Sequence, residues 1–234
     1  APVTLHGDTL ERARIVTARR EDAAHAAFDV LRTRLMQVLQ DKGWTRVAIT
    51  SPTADCGKTF TAANLAISLS RQENCRTILM DCDLRAPGLA RVLGAPAPGA
   101  IGPMLRGERV PDRHLLRLGP NDFEAGPGLA FALNDTPERY AAELLQDPRT
   151  RGVLDRIAER FKPDVMLFDL PPALVSDDVM AFRPCFDAVL LVIGGGLTTP
   201  RDVKETERRL GLNTPLLGTI LNQAENVSTR RYTY

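Results

Sequence analysis

Short apolar runs alternate with longer amphipathic segments along most of the chain. Six runs have the length and composition of buried strands, at residues 46–50, 77–80, 129–133, 165–168, 188–193 and 216–221. Buried parallel strands are near-continuous apolar runs, and strands that alternate with helices pair into a parallel sheet. The pattern therefore predicts an α/β fold, a doubly wound, mostly parallel sheet flanked by helices.

The segments between these runs show helical spacing. The stripe Phe28, Leu31, Leu35 and Val38 predicts a helix over residues 23–40 with one apolar face, which by default packs on the sheet. Further helices are predicted at 58–71, 89–93, 138–146, 150–161, 177–182 and 200–210.

The two ends of the chain lack this periodicity. Residues 1–22 are interpreted as an N-terminal arm and residues 223–234 as a flexible C-terminal tail that carries Tyr232 and Tyr234. The core domain is predicted to span residues 23–222.

Composition narrows the class of protein. A chain of 234 residues with a net charge of +1 has enough length for one sizeable domain and no charge that favours nucleic acid. Its four cysteines show no metal-ligand spacing and fit reduced thiols. No apolar run approaches the ~20 residues of a membrane helix. We therefore expect a soluble, cytoplasmic protein, or the cytosolic part of a larger one.

Acidic residues end two of the predicted strands. The run from Ile78 to Arg85 delivers Asp81, Asp83 and Arg85 to the end of one strand, and Asp169 ends another. Open α/β sheets bind ligands beyond the carboxyl ends of their strands, and acids buried there need a cation. An N-cap with a surface acid is the alternative for the first run.

A Gly-Lys-Thr sequence, residues 57–59, lies between a predicted strand and a predicted helix. That order is the context of a phosphate loop, in which backbone N–H groups bind phosphate, Lys58 reaches the β and γ oxygens and Thr59 ligates Mg²⁺. Pro52 stands where the first glycine is expected, and Asp55 would repel a phosphate unless it points away or pairs with a cation.

Together these residues predict a Mg²⁺–nucleotide site. Asp169 suits a water-mediated metal contact, Asp81 could ligate the metal or accept a proton, and Arg85 could pair with Asp83 or reach a phosphate. Asp177 and Asp178 most simply cap the following helix, and Asn222 could bind an adenine edge or serve as a turn residue. The candidate nucleotide contacts are Ser51, Asp55, Cys56, Gly57, Lys58, Thr59, Phe60 and Asn222, and the candidate metal ligands are Thr59, Asp81 and Asp169.

These motifs resemble those of the bacterial tyrosine kinases of capsule and exopolysaccharide assembly, a branch of the P-loop ATPases that includes MinD- and ParA-like proteins. The family's Asp-x-Asp-x-Arg motif is matched by Asp81, Asp83 and Arg85, and its Asp-x-Pro-Pro motif by residues 169–172. ParA-like proteins carry a signature lysine where this chain has Thr53. The resemblance runs from about Ala23 to the C-terminus.

The resemblance implies an ATP- and Mg²⁺-dependent autokinase that transfers the γ-phosphoryl group to tyrosines in a neighbour's C-terminal tail, here Tyr232 and Tyr234. Lys58, Asp81, Asp83 and Arg85 would be its catalytic residues. It also implies a membrane-embedded chain-length regulator as activator, separate or fused N-terminally, and a location at the inner face of the plasma membrane.

The chain departs from the family in three places. The phosphate loop Pro-Gly-x-Gly-Lys keeps only its last glycine, Gly57. The ring-forming helix motif Glu-x-x-Arg-x-x-Arg is reduced to Ala26, Asp29 and Arg32, which predicts at most a weak homo-oligomer. The tyrosine-rich tail is reduced to two tyrosines.

Two other functions compete with the autokinase. A degenerate member that binds nucleotide weakly or not at all would act as an assembly partner of the polysaccharide machinery, which Asp55 and the altered helix favour. A MinD/ParA-like ATPase switch is the third hypothesis, disfavoured by Thr53.

Overall fold

The computed structural model of the protein describes residues 1–18 and 23–224. The described strands are β1 (Pro2–Val3), β2 (Arg46–Thr50), β3 (Thr77–Asp81), β4 (Leu116–Leu118), β5 (Leu129–Ala132), β6 (Val165–Asp169), β7 (Ala188–Gly194) and β8 (Leu216–Asn222). The described α-helices are α1 (Gly7–Arg12), α2 (Ala23–Lys42), α3 (Lys58–Ser70), α4 (Leu89–Leu93), α5 (Gly102–Leu105), α6 (Ala141–Gln146), α7 (Pro148–Phe161), α8 (Asp178–Ala181) and α9 (Pro200–Leu210).

The eight strands form one sheet in the order β1-β4-β5-β3-β6-β2-β7-β8. All neighbours run parallel except β4 and β5, which are antiparallel. Every residue of β3 and β6 is buried, as expected of central strands covered on both faces. The predicted fold class is confirmed, and all six predicted strands are present.

Helix α3 explains how the phosphate loop is held in place. From Thr61 to Ser70 each of its residues is buried, because small side chains such as Ala62, Ala63 and Ala66 let the helix lie close to the sheet. A helix buried along this much of its length has little freedom to move. The phosphate loop, which ends where α3 begins, is therefore held in place at that end.

The interpretation of residues 1–22 as an arm is wrong for the described residues 1–18. Strand β1 pairs with β4, and Val3, Leu5, Leu10 and Ile15 are buried in the core. Two-residue pairing and a six-residue helix are too short to give a periodic signal, which is why the sequence pattern missed them. The core domain therefore includes this segment.

Other differences concern element ends. The helix predicted at 138–146 begins at Ala141, after Tyr140 at its N-cap. Strand β4 and helix α5, of three and four residues, were not predicted.

Within the described ranges, no helix is both long and apolar enough to cross a membrane.

Candidate nucleotide site

The phosphate loop lies between β2 and α3, as predicted. Gly57, the residue before α3, has φ 84°, a left-handed conformation that favours glycine. A Cβ atom built on Gly57 would meet the side-chain nitrogen of Asn222, so any other residue here would displace the Asn222 amide from the loop. The loop thus leads directly into a helix N-terminus, where free N–H groups attract anions.

Hydrogen bonds from outside the loop fix its backbone. Asn222 Nδ2 donates to the carbonyl of Cys56 at 3.0 Å, and Gln223 Nε2 donates to the carbonyl of Asp55 at 3.0 Å. Ser51 Oγ donates to the carbonyl of Thr53 at 2.6 Å within the loop. Asn222, suggested above as an adenine contact, uses its amide nitrogen to hold the loop. Sequence reasoning missed Gln223, since no local pattern marks a contact 168 residues away.

Cys56 has its thiol turned into the protein. Its Sγ lies 3.4 Å from Thr198 Oγ1 and 3.6 Å from Thr53 Oγ1. Burial acts to raise the pKa of Cys56, but hydrogen bonds from Thr198 and Thr53 outweigh it and lower that pKa. The side chain of Cys56 therefore anchors the loop.

Lys58 makes a salt bridge with Asp83, with 2.8 Å between Nζ and Oδ2. Both side chains are largely buried, with 15% and 6% of their surface exposed. Burial acts to lower the pKa of Lys58, but the carboxylates of Asp169, Asp83 and Asp81 outweigh it, so the pKa is raised and the lysine is charged. The structure thus brings together the lysine and the three acids that the sequence predicts.

Asp81 and Asp169 lie side by side at the ends of β3 and β6, where they are register partners. Both are fully buried. Asp81 Oδ2 accepts hydrogen bonds from the backbone N–H groups of Gly88 and Leu89, at 3.1 and 3.0 Å, whereas its Oδ1 has no partner among the described residues. Sequence reasoning did not foresee these two amides, because backbone donors carry no residue signature.

The electrostatics of this pair favour a cation. Burial, with a contribution from Asp169, raises the pKa of Asp81 well above its ordinary value. Burial also raises the pKa of Asp169 to about 6, although Lys58 and the nearby Thr59 hydroxyl act to lower it. Neither oxygen of Asp169 receives a well-formed hydrogen bond in the described part of the chain. Buried carboxylate oxygens without partners are stabilised by a cation or ordered water.

The residues present fit Mg²⁺ rather than a metal held by protein alone. Within the described residues, no three His, Cys, Asp or Glu side chains are close enough to enclose an ion. Mg²⁺ is usually held by one or two carboxylates together with water and phosphate oxygens. Asp81 Oδ1 and the Asp169 carboxylate provide free acceptors of that kind, and Thr59, the second residue of α3, has its hydroxyl near Asp169.

Arg85 points away from Lys58. Its Nε and Nη2 donate to the two carboxylate oxygens of Asp178 at 2.8 and 2.9 Å, so the suggested pairing with Asp83 is wrong. Asp177 occupies the N-cap position of α8, as predicted, but its side chain makes no capping hydrogen bond, and Asp178 is fully buried against Arg85. Arg85 is 45% exposed, so its outer face remains open to solvent.

Phe60 lies on the side of the loop that faces α2. Its ring meets Phe28 edge to face, with centroids 6.0 Å apart. Phe60 and Asn222 both line a hollow of about 360 Å³ between α2 and β8. Both residues therefore lie next to the phosphate loop, where this hollow opens beside it.

Comparison with known proteins gives the family. Residues 47–231 match the model of the CobQ/CobB/MinD/ParA nucleotide-binding domain, which covers most of the chain. The chain belongs to this family.

The chain is similar to a whole protein compared by sequence and to two solved kinase domains. EpsB of Ralstonia solanacearum, described as a candidate tyrosine-protein kinase, is 31% identical over 229 residues, which are 97% of this chain and 29% of that protein. The kinase domain of the Escherichia coli tyrosine kinase ETK has a TM-score of 0.78 at 24% identity, covering 92% of this chain and 81% of that one. The VpsO kinase domain has a TM-score of 0.74 at 26% identity, covering 92% and 98%.

The expected resemblance to bacterial tyrosine kinases is thus confirmed. The chain spans less than a third of the length of the EpsB relative, so it corresponds to one part of such a protein.

Proposed function

We propose that the protein is an ATP-dependent protein-tyrosine autokinase that acts in exopolysaccharide or capsule assembly. The observation that carries the proposal is the cluster of Lys58, Asp81, Asp83 and Asp169 beside the N-terminus of α3. Membership of a nucleotide-binding family and the names of the relatives support the choice of ATP and tyrosine.

The residues of the cluster would divide the work of phosphoryl transfer. The N–H groups at the start of α3 and Lys58 would hold the β and γ phosphates, and Thr59, Asp81 and Asp169 would hold Mg²⁺. Bound Mg²⁺ would neutralise charge that develops on the phosphate oxygens. Because Lys58 is paired with Asp83 in this structure, phosphate has to compete with Asp83 for the ammonium group.

The transfer itself needs an acceptor hydroxyl in line with the γ-phosphoryl group. The phenol oxygen forms the new bond to phosphorus, the bond to the β–γ bridging oxygen breaks, and ADP leaves. As the alternative to a metal contact, Asp81 Oδ1, which has no partner in the described residues, would orient the phenol or accept its proton, and Thr59 and Asp169 would then hold Mg²⁺. This is mainly positioning and electrostatic stabilisation.

The proposed acceptors are Tyr232 and Tyr234, modified in trans. Both tyrosines lie outside the described residues, and the proposal for them rests on the sequence and on the resemblance alone. The proposed partner is a membrane-embedded chain-length regulator, which would place the protein at the inner face of the plasma membrane. Arg85, turned to Asp178, is proposed to steady the end of β3 or to meet the acceptor segment with its exposed face.

A second candidate function has an observation of its own. Asp55 stands at an exposed position with a left-handed backbone in the loop, and Lys58 is already neutralised by Asp83. These features favour a degenerate member that binds nucleotide weakly and serves as an assembly partner of the polysaccharide machinery.

Nucleotide binding is the first test. We expect wild-type protein to bind Mg-ADP in calorimetry and Lys58→Met to lose binding, because the phosphates lose their cation. Loss of Lys58 alone leaves the Asp83 carboxylate buried without its cationic partner, which costs about 3 kcal/mol of folding free energy. The double variant Lys58→Met/Asp83→Asn keeps the position neutral and should fold yet not bind. Lys204→Met, at an exposed lysine of α9, is the matched control.

Transfer is the second test. Intact-mass analysis after incubation with Mg-ATP, with and without peptides from candidate membrane partners, should show phosphate on wild type and none on Lys58→Met. Peptide mapping with Tyr232→Phe and Tyr234→Phe locates the acceptors. No heat with millimolar Mg-ATP would refute the autokinase and favour the assembly partner. ATP hydrolysis without phosphotyrosine would indicate an ATPase switch.

A further inference from the structure

A second cavity lies at the opposite end of the sheet from the phosphate loop. It has a volume of about 400 Å³, within the range of small-molecule sites. Its wall includes Thr77 and Ile78 at the start of β3, while Asp81 of the candidate kinase site ends the same strand. A ligand in this cavity would therefore not touch a nucleotide at the loop.

The inner wall of the cavity is apolar. Ile78 and Leu129 lie at its base on neighbouring strands, and Leu115, Phe161 and Pro163 close its sides. Gly128 allows the backbone of Cys75 to approach closely here, because a Cβ on Gly128 would lie 2.5 Å from the carbonyl oxygen of Cys75. The cavity therefore belongs to the packing of the sheet and does not depend on one surface side chain.

The rim of the cavity carries positive charge. Arg117 on β4 is exposed and makes no salt bridge with any described residue. Arg76 is only loosely paired, with 3.8 Å between its Nε and Asp164 Oδ2. The single carboxylate of the lining, Asp112, is held by Arg160 at 2.7 Å. The amino group of Ala1 also lies at the rim, but the two arginine side chains supply positive charge without it.

We propose that this cavity binds a small amphiphilic carboxylate, with its aliphatic or aromatic body on the apolar wall and its carboxylate on Arg117 and Arg76. Burial of the body supplies affinity that is independent of charge. The arginine fork matches a carboxylate and selects against neutral or cationic head groups. The proposal is independent of the kinase function, and the wall that it uses contains no residue of the nucleotide site.

The test compares three probes that share one alkyl chain: octanoate, octanol and octyltrimethylammonium. Ligand-observed NMR and calorimetry on the full chain should show that octanoate binds best and the ammonium probe does not bind. Arg117→Gln should weaken octanoate about tenfold and leave octanol unchanged. Arg113→Gln, at an exposed arginine outside the cavity lining, is the matched control and should behave as wild type.

A variant that fills the cavity gives an independent check. Ala130 lines the cavity and is only partly buried, so Ala130→Leu should remove octanoate binding without crowding the core. A far-UV circular dichroism spectrum and a urea midpoint like those of wild type would show that the variant folds, whether or not the protein binds nucleotide. Equal binding of the three probes, full octanoate binding to Ala130→Leu, or an unchanged affinity in Arg117→Gln would each overturn the proposal.

Discussion

Asp55 adopts a backbone conformation that few side chains tolerate. Its φ is 61°, in the left-handed region, where aspartate is accepted better than most residues and glycine best. The resembled family has a glycine at this position, and the structure gives the reason, since the loop turns here. Asp55 therefore differs from that family in two ways, a small backbone strain and a negative charge.

Two substitutions at Asp55 separate these effects. Asp55→Asn removes the charge and keeps a side chain that tolerates the left-handed region, whereas Asp55→Gly removes charge and strain together. We expect both substitutions to strengthen Mg-ADP binding several-fold. A partly exposed carboxylate close to a phosphate weakens its binding by about 1 kcal/mol. Calorimetry measures the difference. Equal affinity in wild type and both variants would mean that the carboxylate points away from the phosphates.

His114 is a buried histidine outside the nucleotide site. Its Nε2 lies 2.8 Å from the carbonyl of Leu133, so this nitrogen carries the hydrogen, and its Nδ1 has no partner in the described part of the chain. Burial lowers the pKa of His114, although the Leu133 carbonyl acts to raise it. A proton added to Nδ1 would have no acceptor, so the folded protein resists protonation.

His114 should therefore make folding depend on pH. Because its folded pKa lies below the ordinary 6.5, the unfolded chain takes up the proton first, and unfolding free energy falls as pH drops below about 6.5. Asp81 and Asp169, with raised pKa values, act in the opposite sense, so the readout is a difference between proteins.

We expect His114→Gln, measured by urea unfolding at pH 7.5 and 5.0, to lose less stability on acidification than wild type. The difference between the two proteins measures how strongly burial lowers the pKa of His114. His6→Gln, at an exposed histidine, is the control. An identical pH slope in wild type and His114→Gln would contradict the assignment.

Sequence reasoning was most successful for residues with a fixed place in a motif. Lys58, Asp81, Asp83 and Asp169 follow directly from a loop and two strand ends, whose positions in an open α/β sheet are known in advance. The partner of Arg85 could not be predicted, because Asp178 reaches it only through the placement of α8, 93 residues away.

At the scale of elements, the segment formed by β1 and α1 closes one end of the core. Leu10 on α1 is fully buried, and the hydroxyl of Thr17 donates to the backbone and side-chain oxygens of Asn64 on α3. The segment is thus attached both by apolar burial and by a buried polar contact. It reaches the helix that begins at the phosphate loop, so its packing supports the site indirectly.

Truncating Leu10 should measure this contribution. Leu10→Ala leaves a cavity in the core and should lower the free energy of unfolding by about 2–5 kcal/mol. Leu212→Ala, at a fully exposed leucine, should change it by less than about 0.5 kcal/mol. Urea denaturation decides between them, and a loss below about 1 kcal/mol for Leu10→Ala would show that the segment is only loosely attached.

The elements that sequence reasoning found and missed differ in how they are stabilised. Strands β2, β3 and β6 have five residues each, of which three or four in a row are apolar, and such a run predicts a buried strand. Strands β1 and β4 have two and three residues and exist because each lies beside an already formed neighbour. Tertiary pairing of that kind leaves no local pattern.

For the whole molecule, the contacts made by Arg32 on α2 bear on self-association. The helix position that resembles the ring motif retains Arg32, but this arginine is turned inward. Its Nη1 donates to Asp29 at 2.8 Å and to the backbone and hydroxyl of Ser68, and only 18% of the side chain is exposed. Asp29 also lies 3.4 Å from His25. Arg32 and Asp29 are thus engaged in contacts within one chain.

We therefore expect a monomer or a weak, small oligomer. An arginine that must first break its internal bonds has little to offer a neighbour, since exposed ion pairs contribute only tenths of a kcal/mol. Light scattering at micromolar concentration measures the mass of the particle. A stable octamer would contradict this expectation and show that another surface carries the contact. Arg34→Gln, on an exposed turn of the same helix, would then be compared with Arg32→Gln to locate that surface.

The bonds from Asn222 and Gln223 to the phosphate loop have a consequence for signalling. These residues end β8 and begin the connection to the C-terminal tail, while their amide groups hold the carbonyls of Cys56 and Asp55. The start of the C-terminal tail and the phosphate loop are therefore joined directly by two hydrogen bonds. By thermodynamic reciprocity, if a nucleotide favours one position of these carbonyls, it also favours one starting direction for the tail, and a protein that grips the tail alters nucleotide affinity by the same factor. A partner that binds the end of the chain would in this way change the affinity of the proposed nucleotide site.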